Sequence, residues 1–138
     1  MAEYARSNDE IVATGAQVVA LCVDAPEKSA GVRAELGLPF PILCDSTRQV
    51  VRTWNLYNAK EMGGIAIPAV FVIGRDMQIG YRSIDTTATR VSTAGVLGFL
   101  RGEVSGAALG RERVPVRPGD FGRAFRNALR RGFKTPHG

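Results

Sequence analysis

Between Gly15 and Asp24 the chain reads Ala16-Gln17-Val18-Val19-Ala20-Leu21-Cys22-Val23, apolar at nearly every position. Such a run, bounded by a glycine and a charge, predicts a parallel strand buried on both faces over residues 17–23. Ahead of it, residues 3–13 are helix-compatible, with Tyr4, Ile11 and Val12 as the apolar contribution and Gly15 as a stop. Behind it, Asp24 and Glu27 have capping-box spacing and Pro26 fits a first helical turn. Ala30, Val32 and Leu36 are the residues available for the buried side of that helix, which Gly37 ends. A short strand is predicted at residues 39–43, and Asp45 or Ser46 is placed to cap a helix through Val50, Val51 and Trp54. Turn-formers fill residues 55–64.

Pro68 then opens the β-branched run Ala69-Val70-Phe71-Val72-Ile73, a polar break follows at Gly74-Arg75-Asp76, and a second strand pattern returns through Ile79 and Tyr81. This predicts a proline-led β-hairpin. Asp85-Thr86-Thr87 marks a break before a closing helix at residues 92–100, whose apolar positions are Val96, Leu97, Phe99 and Leu100. The order helix, strand, helix, strand, helix, hairpin, helix predicts a three-layer α/β domain over residues 1–101. Residues 102–138 form a second region: a Gly-, Pro- and Arg-rich linker to residue 119, then an amphipathic helix capped by Asp120.

A chain of 138 residues has room for one core and not for two. No apolar run approaches the length of a membrane span, and the first ten residues are polar and acidic where a secretory signal would be basic and then apolar. A soluble, cytoplasmic protein is the expectation. Charge changes the picture only at the end of the chain. Residues 1–101 balance ten basic against ten acidic side chains, so the net charge of +5 lies wholly in residues 102–138. Cys22 and Cys44 are the only cysteines and His137 the only histidine, which leaves no metal-ligand spacing and no histidine-activated nucleophile. Gly63-Gly64 precede a strand rather than a helix, so they form no phosphate-binding loop, and no cofactor is expected.

Three stretches share one resemblance. The strand ending in Cys22-Val23-Asp24, the run Leu36-Gly37-Leu38-Pro39-Phe40-Pro41-Ile42-Leu43-Cys44-Asp45 and the hairpin from Ile65 to Arg82 together resemble the alkyl hydroperoxide reductase/thiol-specific antioxidant (peroxiredoxin-like) family. In the first two, cysteine stands where the family carries serine. The resemblance covers residues 4 to about 101 and implies a thioredoxin-like three-layer α/β/α fold, N-terminally truncated here, with a basic C-terminal extension. It also implies a cis Ile67–Pro68 bond, making Pro68 a structural cis-proline. The implied activity is thiol-dependent peroxide reduction through a cysteine sulfenic acid, restored by a thioredoxin-like or low-molecular-weight thiol reductant. A homodimer is compatible with it.

The family carries its reactive cysteine in a Thr-x-x-Cys turn before the helix that here begins near Glu3, a position ahead of Met1. Its central first strand is missing in the same way. The expectation is therefore a start internal to a longer reading frame, or a decayed copy, with two unpaired inner edges beside residues 17–23 and 69–73. Activity in this chain alone should then be weak or absent. Cys44 and Cys22 are the remaining catalytic candidates, both ending strands that the family sets side by side, within reach of a disulfide. The competing reading makes both small buried replacements for serine. Cys44 is the better nucleophile candidate because it precedes a predicted helix start, although the adjacent Asp45 opposes a second negative charge. The alternative function is a catalytically silent thioredoxin-like interaction module. Nucleic acid or an anionic surface could meet the basic tail, but a solvated extension is the favoured reading of that charge run.

Overall fold

The computed structural model describes residues 1–59, 64–85, 89–106 and 111–113. The first helical stretch is two helices, α1 (Ala2–Arg6) and α2 (Asn8–Ala13), where the sequence predicted one. Ser7 separates them, ending α1 and opening α2, as suits a residue that favours caps over helix interiors. Gly15 turns the chain with φ +82°. Strand β1 (Ala20–Cys22) then leads through helix α3 (Pro26–Glu35) into β2 (Ile42–Cys44), and the two strands pair in parallel. Pro26 occupies the first turn of α3, where its missing N–H costs nothing. Gly37 follows the helix in the left-handed region at φ +57°, as a helix-ending glycine should.

Two expectations for this unit are corrected. Asp24 and Glu27 form no capping box: Ala25 is the N-cap without a side-chain bond, and Asp24 instead pairs with Lys28. Nor is β1 buried on both faces. Val19 and Leu21 are 55% and 41% exposed, and Leu43 on β2 is 52% exposed, because α3 covers only the opposite face. On α3 itself the buried residue is Ser29, while Ala30 and Leu36, expected on the buried side, are exposed.

Helix α4 (Gln49–Thr53) follows β2, and its C-cap Trp54 meets Phe71 edge-on with ring centres 4.8 Å apart. Short strand β3 (Tyr57–Asn58), inside the predicted turn region, pairs antiparallel with β4 (Ile65–Ala66) just beyond it. The predicted hairpin forms as β5 (Ala69–Ile73) against β6 (Ile79–Ile84), with an irregular register step between Val72 and Ile73. The Ile67–Pro68 bond is trans, which corrects the cis expectation. Trans is the lower-energy form of such a bond. Strand β7 (Thr89–Val91) was not legible in the sequence, and it pairs with β8 (Arg111–Arg113) inside the stretch expected to be linker. Helix α5 (Thr93–Leu100) closes the domain as predicted, with Gly95 N–H donating to the Ser92 hydroxyl at 3.1 Å. The helix predicted from Asp120 and His137 lie outside the described residues.

The core gathers Ile11, Leu38, Phe40, Val51, Leu56, Val91, Val96 and Leu97. Arg101 joins α5 to α2 through Glu10 at 2.7 Å. Among the described residues the strands form four separate two-stranded sheets, and no ladder links β1 to β5. Among the described residues, neither β1 nor β5 pairs with a second strand on its other edge.

Candidate thiol site

Parallel pairing sets Ala20 against Ile42, Leu21 against Leu43 and Cys22 against Cys44. Side chains alternate across a strand, so in-register residues of a parallel pair project from the same face. That face is the one α3 covers. Cys22 Sγ lies 3.0 Å from Ser29 Oγ, and the Ser29 hydroxyl donates to the carbonyl of Ala25 at 3.2 Å. With its own proton so used, Ser29 accepts from the Cys22 thiol, giving a short chain that ends on the backbone. Cys44 makes only a 3.9 Å contact to the carbonyl of Ile42. Both thiols are free and half-buried. The strands stay clamped just beyond them, where Asp45 N–H donates to the Cys22 carbonyl at 2.7 Å.

Cys44 also lines an open cleft of about 480 Å³ together with Pro26, Ser29, Arg33, Pro41 and Ile42. Cys22 is not among the residues lining that cleft. The predicted help from a helix start is not found. Helix α4 begins five residues later, and its first amides are taken by Asp45, which accepts from Gln49 N–H and Val51 N–H at 2.9 Å each. Burial works to raise the Asp45 pKa, but the amides of Val51, Val50 and Gln49 and the Thr47 hydroxyl outweigh it and hold the carboxyl below its ordinary value. Asp45 is thus the helix-stabilising group that its position suggested, acting from three residues before the N-cap Arg48.

Pro68 stands between β4 and β5, with its carbonyl accepting from Asp85 N–H at 2.8 Å, on a strand pair that shares no ladder with β1 and β2. The structure thus brings Cys22 and Cys44 together and leaves Pro68 in the neighbouring unit. Ser29 and Arg33 were missed as site residues. The small-residue run Ser29-Ala30-Gly31 was the available signal, because it marks the turn of α3 that can approach the strands closely. Among the described residues no group of three or more potential ligands could hold a metal ion, and no helix is long and apolar enough to cross a membrane.

Comparison with known proteins places this arrangement. Two peroxiredoxin relatives from Mycobacterium tuberculosis strains are each 34% identical over 84 residues, 58% of this chain and 54% of theirs. Among solved structures, AhpC of Mycobacterium bovis and AhpC of Mycobacterium tuberculosis match with TM-score 0.65 at 25% and 26% identity, covering 73% of this chain and 57% of theirs. Peroxiredoxin 6 of Arenicola marina matches in fold, with TM-score 0.63 at 20% identity over 72% of this chain and 51% of its own. The chain spans about half the length of the curated relatives it matches. These neighbours make the fold thioredoxin-like α/β. The AhpC/TSA family model matches residues 1–82, more than half of the sequence, and the chain therefore belongs to the AhpC/TSA family.

Proposed function

We propose that this protein reduces peroxides through thiol chemistry, weakly when this chain acts alone, with Cys44 as the attacking sulfur and an external thiol as reductant. The observation that carries the reading is the position of Cys44, half-buried on the wall of an open cleft with only a long contact to a carbonyl. In the first step the Cys44 thiolate attacks one peroxide oxygen, the O–O bond breaks, and the other oxygen leaves as water or an alcohol after taking a proton. The sulfenic acid left on Cys44 is reduced by two equivalents of thiol, releasing water and a disulfide of the reductant. Family membership supports the reaction class, and the thioredoxin-like reductant is its natural partner.

Peroxide consumption with dithiothreitol should exceed the protein-free rate and fall to that background in Cys44→Ser, with Cys22→Ser retaining most of it. Equal rates in the wild type and Cys44→Ser would overturn the assignment. The exposed row Val19, Leu21 and Leu43 favours a second reading, a catalytically silent module that works through this apolar face. Consumption at background in the wild type would select it.

A further inference from the structure

We infer that Cys22 and Cys44 form a reversible cross-strand dithiol, closing to a disulfide that staples β1 to β2. This goes beyond peroxide turnover and does not depend on it. The register puts the two residues directly opposite one another on the same face. Neighbouring strands lie about 4.8 Å apart, inside the Cα separation of about 4.4–6.8 Å that a disulfide spans. Both positions are the last of their strands, and the Asp45 N–H to Cys22 carbonyl bond holds the ends together. Closure requires Cys22 to leave Ser29 and Cys44 to turn from the Ile42 carbonyl, two weak contacts to sulfur.

The oxidant is a low-molecular-weight disulfide. The Cys44 thiolate attacks one of its sulfurs, breaking that S–S bond and expelling one thiolate. The Cys22 thiolate then attacks the Cys44 sulfur of the mixed disulfide and expels the second. The protein loses two protons and two electrons, and the oxidant becomes two thiols. Cys44 is the entry point because it faces the cleft, whereas Cys22 is tied to α3. Closure removes the Cys44 thiol from the cleft, so the pair is a switch on that sulfur's availability.

The test uses oxidised and reduced glutathione mixtures with the native full chain. Intact mass should fall by two hydrogens, and non-reducing peptide maps should join the Cys22 and Cys44 peptides. Cys22→Ser should instead accumulate a glutathione adduct on Cys44. The wild type in urea needs no variant: closure there should demand a ratio of oxidised to reduced glutathione at least about tenfold higher than in native buffer, since only folding aligns the strands. Glutathione on both cysteines, thiols that stay free, or equal ratios in urea and buffer would each overturn the inference.

Discussion

Asp45 shows how much one side chain decides locally. Its carboxylate satisfies amides at the start of α4 that have no partner within the helix, and its own backbone N–H closes the β1–β2 ladder beside the thiols. Because its folded pKa lies below its unfolded value, the stability it contributes is present above the ordinary carboxylate value of about 3.9 and is lost as pH falls through the lower folded value. Urea melts between about pH 6 and pH 2 should show that loss, and Asp45→Asn should be less stable at neutral pH with a flatter acid limb. That Asp45 would stabilise the start of α4 was legible, but the cap position was not: the N-cap is Arg48, not Asp45 or Ser46, and Asp45 reaches the first amides from three residues further back. The Ser29 partnership with Cys22 was not legible, since it depends on which face of α3 meets the strands, and the apolar pattern pointed to Ala30, Val32 and Leu36 instead.

At the scale of elements, what could be read were those that own their signals. The Pro68-led hairpin and α5 with its Ser92 cap carry a breaker, a cap and an apolar run, and both formed where expected. β3, β4, β7 and β8 are two or three residues long and exist through their partners, so local pattern could not announce them. Short α4 likewise depends on packing, with Val51 only 1% exposed at its centre. Val51→Ala should cost roughly 2 kcal/mol through two lost buried methyl groups and the cavity left, read as a lowered urea midpoint at unchanged slope. A change within the scatter of surface substitutions would mean that α4 does not anchor this part of the core.

For the whole molecule, the exposed face of Val19, Leu21 and Leu43 has a definite physical meaning. An α/β sheet normally buries both faces of its parallel strands, and here one face of the β1–β2 pair meets solvent. The sequence led to an expectation of unpaired strand edges and of a β1 buried on both faces; that β1, apolar throughout, is buried on one side only needed the structure. Leu43→Lys should leave stability within about 0.5 kcal/mol and reduce binding of a hydrophobic dye, because Leu43 already faces solvent. A large loss of stability would show that this face is covered in solution.

The account turns on the family's thiol chemistry passing through Cys44 in this chain. Treating the reduced protein with a limiting amount of hydrogen peroxide, without added reductant, and then counting free thiols tests it most directly. The account predicts that peroxide disappears as thiols are lost in the wild type and in Cys22→Ser but persists with Cys44→Ser. Peroxide that survives in all three, with every thiol still free, would contradict it.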